Sequence, residues 1–252
     1  MDATDIRIGF TDARTAQIRL ELGEVIDAAQ TTDVPPGATP DPDSGYVWQD
    51  GAWLGRVGGP EGQYFQGFDT LVESPLADLF DTTDGRAAVD RPGGWSVTVN
   101  GDPVGIDAVS RKSNILDTAE TGWFIFDFAT TENVFLSLDA PLAPGDVVRI
   151  AFDDPDFDPV QVTYAPDDTV SEAVHVNLTG FDPDDLVKAA FLSSWNGVRA
   201  DGMPVPQAYE PGTGFRVVDA TSGETVRTGT IELAQGIDDP TGFSRNFQGT
   251  DL

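Results

Sequence analysis

A chain of 252 residues with a formal net charge of −29 and only two lysines, Lys112 and Lys188, repels phosphate backbones and anionic lipid, which excludes nucleic acid as a partner. Cysteine is absent, so disulfides, a thiol nucleophile and thiolate metal sites are excluded too. No run approaches the roughly 18 apolar residues of a membrane-crossing helix, and 27 glycines with 18 prolines favour many short strands over long helices.

The start, Met1-Asp-Ala-Thr-Asp5, lacks the basic-then-apolar shape of an export signal; either the chain is not exported or its true beginning lies upstream. Ile6, Ile8 and Phe10 alternate with polar neighbours, as do Ala16, Ile18, Leu20 and Leu22 against Gln17, Arg19 and Glu21, which predicts two strands with one buried face each. From about 30 to 94 the pattern loosens into an irregular insertion. It holds a Pro/Asp/Gly loop (31–45), a small hairpin around Asp50-Gly51, and one or two helical turns over 74–81. Trp95, Val97 and Val99 run into Asn100-Gly101, a pair suited to a hairpin turn, with Val104 and Ile106 on the return strand. The segment Trp123 to Phe128 is apolar on both faces apart from Asp127 and reads as a central, doubly buried strand. Strands through Val134–Leu138, Val148–Phe152 and Val160–Tyr164 follow, and this meander of short strands predicts one β-sandwich. A second run of strands begins at Glu172 and includes 186–195, 215–219, 225–228 and 230–233.

The opening of that second run, Ser171-Glu-Ala-Val-His-Val-Asn177-Leu-Thr-Gly180-Phe181, is followed by Lys188, Trp195-Asn-Gly197, Phe215-Arg-Val-Val-Asp219, Gly223, Val226 and Gly229. In order and spacing this resembles the N-terminal immunoglobulin-like domain of family 9 glycoside hydrolases, the cellulase family. Phe181 stands where the family has Tyr, and Leu178 where it has Gln. Lys112-Ser113, the Phe-rich strand and Pro141-Leu-Ala-Pro-Gly145 resemble the extra β-module that precedes that domain in some members. The resemblance implies a parent enzyme whose (α/α)6 helical barrel cleaves β-1,4-glucan. It also implies an extracellular or periplasmic location, and structural roles for Asn177, Gly180, Phe181, Lys188, Trp195, Phe215 and Asp219. The family's Asp-Ala-Gly-Asp base motif does not occur in the chain.

No catalytic residue is assigned. Glycoside hydrolysis needs two carboxylates roughly 5 to 9.5 Å apart across a cleft, and 43 acidic residues offer pairs everywhere, so a pair in the sequence decides nothing. His175 is the sole histidine, which leaves zinc and a Ser-His-Asp relay unsupported and points to a structural role. Asp153, Asp154, Asp156 and Asp158 crowd one loop where oxygen ligands could hold Ca²⁺. The run from Asp154 opens like an EF-hand, but Pro159 replaces its glycine and Ala165 its bidentate glutamate, so an irregular Ca²⁺ site and a solvated acidic loop are the two readings. Trp48, Trp53 and Tyr64 lie in the insertion, either stacking on sugar rings or packing their own hairpin; Trp95, Trp123 and Trp195 are expected in the core.

The expected architecture is all-β: two tandem immunoglobulin-like sandwiches, 1–168 with its insertion and 169–252, the second truncated at its C-terminus. The expected function is a non-catalytic accessory region of a cellulase-type glycoside hydrolase that packs on and stabilises a helical-barrel catalytic domain of the same parent chain. The alternatives are a carbohydrate-binding module, with polysaccharide as partner, and a Ca²⁺-stiffened extracellular adhesion module.

Overall fold

The computed structural model describes residues 5–31, 33–58, 62–168, 171–177, 179–182, 184, 188–207, 209–235 and 249–251. Strand makes up 54% of it and helix 7%, which establishes the all-β class. The first strands are β1 (Asp5–Asp12), β2 (Thr15–Glu21), β3 (Gly23–Ile26) and β4 (Ala29–Thr31). The insertion contributes β5 (Thr39–Pro40), β6 (Tyr46–Gln49), β7 (Ala52–Gly58), β8 (Gln63–Gln66) and β9 (Thr70–Glu73). Two short helices follow: α1 (Asp78–Asp81) lies within the helical turns expected over 74–81, and α2 (Thr83–Val89) comes after them. Thr82 caps α2, its hydroxyl accepting from the Gly85 N–H at 3.1 Å.

Next come β10 (Trp95–Val99), β11 (Asp102–Val104), β12 (Ile106–Gly122), β13 (Ile125–Leu138), β14 (Val147–Phe152) and β15 (Val160–Thr163). The chain ends with β16 (Val174–His175), β17 (Phe191–Leu192), β18 (Ser194–Val198), β19 (Pro204–Gln207), β20 (Gly214–Val218), β21 (Thr225–Thr230), β22 (Glu232–Gln235) and β23 (Gly249–Asp251). A six-stranded sheet has the order β1-β2-β13-β12-β18-β19, and two four-stranded sheets run β11-β10-β14-β15 and β16-β17-β23-β22. The insertion folds as a five-stranded sheet, β4-β8-β7-β6-β5, with β3 paired to β9.

The chain divides into two compact units. One gathers Leu20–Asp78 with Ser113–Glu132; the other gathers Ile6–Arg19, Leu79–Lys112 and the chain from Asn133 on. The second run of strands accordingly joins elements far back in sequence: Val198 of β18 pairs with Arg111 of β12. From Glu172 on, the buried hydrophobic residues among those described are Ala173 and Ile231 only.

In the larger unit, Ala16 and Ile18 of β2 and Val134, Leu136 and Leu138 of β13 are buried, as the alternation requires. Trp95 anchors the neighbouring aromatic layer, with Phe152 at 4.6 Å and Phe157 at 5.6 Å, and its indole N–H donates to the Val89 carbonyl at 2.9 Å. The other face of β2, expected in water, is covered. Gln17 is buried and donates to Asn133 Oδ1 at 2.9 Å and to Glu172 Oε2 at 3.2 Å. Glu172 also pairs with Lys112, whose ammonium donates to the Trp195 carbonyl at 3.1 Å and lies 5.4 Å from the centre of the Phe135 ring. Gln17, Glu172 and Lys112 persist on this covered face because each finds a partner there.

The hairpins follow local rules. Asn100 and Gly101 both have positive φ (55° and 93°), as do Asp50 and Gly51 (53° and 80°), the signature of two-residue type I′ turns. Two longer turns share one device. Asp41 accepts from the N–H groups of Asp43 and Ser44 and from the Ser44 hydroxyl, and Asp219 does the same with Thr221 and Ser222. Gly45 and Gly223, both at φ +74°, close these loops by donating to the Asp41 and Asp219 carbonyls. These bonds lower the carboxyl pKa of Asp41 and Asp219 from 3.8; Asp146 is lowered likewise by the Ala143 N–H and the Asn100 amide. A depressed folded-state pKa means that the stabilisation is present above 3.8 and lost as pH falls through the lower folded value. Carboxyl NMR titration should therefore place the midpoints of Asp41, Asp146 and Asp219 below 3.8, and midpoints at or above it would contradict the turn assignment.

Candidate functional site

An aromatic surface in the smaller unit is the strongest candidate. Alternation along β6 puts Tyr46 and Trp48 on one face and Val47, fully buried, on the other. The Asp50-Gly51 turn sets Trp53 directly opposite Trp48 in the β6–β7 register, so the three rings share a face. Phe68, just after β8, stacks on Trp53 at 4.1 Å with planes 25° apart. Trp123, in the turn between β12 and β13, completes the group. It lies 4.5 Å from Tyr46 and 5.4 Å from Trp53 at steep angles, and is nearly parallel to Trp48, 5.9 Å away with planes 18° apart.

This geometry makes a platform. Trp48 is 46% exposed and Trp123 37%, and the nearly parallel pair keeps apolar ring surface in contact with solvent. Beside it a shallow recess is bordered by Ala28, Arg56, Asp69 and Glu120. Its enclosed volume is about 10 Å³, room for one water at most, so the surface can receive a flat ligand face and cannot engulf a molecule. The Trp53 indole N–H borders this recess, buried and without a hydrogen-bond partner. Arg56 and Glu120 form an ion pair at 2.8 Å on the rim, offering both donors and acceptors.

Asp69 holds the floor together. Its carboxylate accepts from the Ala28 N–H at 2.8 Å and the Glu120 N–H at 2.9 Å, and its own N–H donates to the Glu120 carbonyl at 3.0 Å. Three bonds from one residue thus tie the loop after β8 to β12 and to the chain before β4. Nothing in the sequence marks Asp69 apart from the other carboxylates, because its role is set by partners 41 and 51 residues away.

Several expectations need correction. Tyr64 is not a stacking residue: it is 2% exposed, on the opposite side of the sheet from Trp48, and its hydroxyl donates to the Leu54 carbonyl at 2.8 Å. Gly55 permits this packing, since a Cβ there would lie 2.0 Å from the Phe65 carbonyl oxygen and 3.0 Å from the Tyr64 ring. Trp123 is not core, and Trp123–Phe128 is no central buried strand. Trp123 and Phe124 form the β12–β13 turn with Phe124 at φ +55°, and Phe124, Ile125, Phe126 and Phe128 are exposed. An apolar run alone does not distinguish a buried strand from a hairpin tip that carries apolar surface outward.

Trp48 and Trp53 do come together; the remaining singled-out residues do not join them. Trp195 is half-buried in β18, and its indole N–H is buried without a partner. Asn177 accepts from the Thr179 N–H and hydroxyl ahead of Gly180, a local turn, while Phe181 and Lys188 are exposed in irregular chain. Phe215 faces Gly229 across β20–β21, where a Cβ on Gly229 would meet the ring at 2.6 Å, and Asp219 caps that hairpin. Asp154 accepts from the Asp156 N–H at 2.9 Å, and Phe157, the next residue, turns into the Trp95 cluster. Asp153, Asp154, Asp156 and Asp158 form no group able to hold a metal among the described residues. His175 is exposed, its Nε2 3.0 Å from the Ser193 carbonyl.

Comparison with protein-family models, curated proteins and solved structures returns no match.

Removing the Asp69 carboxylate leaves two backbone donors without their acceptor. We expect Asp69→Ala to lower unfolding stability by about 2 kcal/mol and to weaken the near-ultraviolet circular dichroism of the packed indoles. A variant with unchanged stability and an unchanged indole signal would show that Asp69 does not organise the aromatic floor.

Proposed function

We propose that this protein is a non-catalytic carbohydrate-binding accessory protein that holds polysaccharide on the Trp48–Trp123 platform. The observation that carries the reading is the pair of nearly parallel, solvent-facing indoles over a shallow recess rimmed by Arg56 and Glu120. A pyranose presents an apolar C–H face and a polar rim. The rings take the face, while the Arg56–Glu120 ion pair takes hydroxyl groups. A net charge of −29 favours a neutral glycan over an acidic one. The reading goes with an extracellular or periplasmic location.

A second reading is the scaffold role implied by the resemblance to family 9 glycoside hydrolases, in which this chain packs on an (α/α)6 catalytic barrel. The observation favouring it is the exposed apolar hairpin of Ile115, Leu116, Phe124, Ile125, Phe126 and Phe128. Covering such surface contributes about 25 cal/mol per Å².

Retention on insoluble cellulose and chitin separates the two. The wild-type protein should be retained, and Trp48→Ala and Trp123→Ala should each weaken binding about fivefold to tenfold, the equivalent of about 1–1.4 kcal/mol per stacking ring. Absence of retention on every polysaccharide tried, or retention unaffected by both substitutions, would sink the carbohydrate reading.

A further inference from the structure

The larger unit contains a second concave site that the carbohydrate reading does not use. It is a cleft of about 210 Å³ lined by Phe10, Asp12, Tyr164, Ser171, Leu192 and Tyr209. One wall is apolar: Phe10 and Tyr164 meet edge to face at 4.9 Å, and Leu192 lies alongside. The remainder carries a carboxylate and hydroxyl groups, whose oxygens can accept hydrogen bonds. The Tyr209 hydroxyl is buried with no partner. The Ser171 hydroxyl oxygen accepts from the Ala173 N–H at 3.3 Å.

Asp12 supplies the charge, and among the described residues every polar partner of its carboxylate is neutral. Oδ1 accepts from the Arg14 backbone N–H at 2.6 Å; Oδ2 accepts from the Gln207 amide at 2.6 Å and the Thr15 hydroxyl at 3.4 Å. The Arg14 guanidinium donates elsewhere, to the Asp139 carbonyl, and Lys112 is taken by Glu172. The electrostatics agree with a cleft that has no cation among the described residues lining it. Both tyrosine hydroxyls are held protonated above their usual range, Tyr209 by burial first and then by the charges of Asp12 and Glu172, Tyr164 by burial and then by Asp12.

A carboxylate without a counter-ion, a hydroxyl without a partner and an aromatic wall converging on one cleft call for a ligand that is cationic, rich in N–H donors and apolar along its stem. We propose that this cleft binds a primary alkylammonium group. Its N–H donors are shared between the Asp12 carboxylate and the Tyr209 hydroxyl oxygen, and its alkyl chain lies against Phe10, Tyr164 and Leu192. Two kinds of recognition act at once: charge-assisted hydrogen bonds at the head and apolar or cation–π contact along the wall.

The test is a titration of the whole protein with n-butylammonium chloride, followed by calorimetry or amide chemical shifts, against 1-butanol, tetramethylammonium chloride and sodium chloride at matched ionic strength. We expect saturable binding of butylammonium that is at least tenfold tighter than that of 1-butanol or tetramethylammonium. Asp12→Asn should weaken it tenfold or more and Tyr209→Phe severalfold, while Trp123→Ala leaves it intact. Tyr209→Phe removes only an unbonded hydroxyl, so it keeps the proposal testable should Asp12→Asn fail to fold. Butylammonium acting no differently from sodium chloride, butanol or tetramethylammonium binding equally well, or both variants retaining full affinity would each overturn the proposal.

Discussion

Trp123 stays partly in water because the layer beneath it is already full. An exposed indole gains about 25 cal/mol for each Å² it buries, yet Tyr46, Trp53 and Phe68 occupy the space into which it would sink, at centroid distances of 4.5, 5.4 and 6.4 Å. Contact at steep angles with these rings fixes its plane, which lies nearly parallel to that of Trp48. The platform is therefore preorganised: a ligand meeting it has few side-chain rotamers to freeze. The type I′ turn at Asp50-Gly51 and the three bonds made by Asp69 support the arrangement from below, which is why substitutions outside the exposed face should still be felt there.

The larger unit is held by a different kind of layer. One face of β2 and β13 buries Ala16, Ile18, Val134, Leu136 and Leu138, whereas the opposite face carries Gln17, Asn133 and Phe135 under Glu172 and Lys112. Ser194, Asn196, Gln207 and Asp12 extend this polar chain along β18 and β19. Such a network is satisfied almost throughout, and its directional bonds fix which strand lies beside which in a way that an apolar layer does not. The cleft lies at the Asp12 end of this network, where the buried Tyr209 hydroxyl makes no hydrogen bond.

Much of the secondary structure was legible in the residues, because period-2 alternation and turn chemistry are local. Asn100-Gly101 and Asp50-Gly51 formed the turns expected of them, and the hairpin from Phe215 to Thr230 is in place. What the residues concealed is long-range. Gln17 looked solvent-facing because alternation reports two faces and not what covers them; its cover, Glu172, is 155 positions away. The run around Trp123 looked like core because hydrophobicity alone does not separate a buried strand from a hairpin tip. Trp48 and Trp53 could be paired from their spacing across a tight turn, but Trp123 reaches them only through the fold, and Tyr64 differs from them solely by strand parity.

The account stands on ligand contact at the exposed indoles. Each tryptophan indole N–H gives its own NMR signal, so a titration with soluble cello- and chito-oligosaccharides reads the platform directly. The account predicts concentration-dependent, saturable shifts at Trp48, Trp123 and Trp53, with Trp95, whose N–H is held by Val89 in the other unit, unmoved. Shifts at Trp95 alone, or no shift at Trp48 and Trp123 with any oligosaccharide, would contradict it.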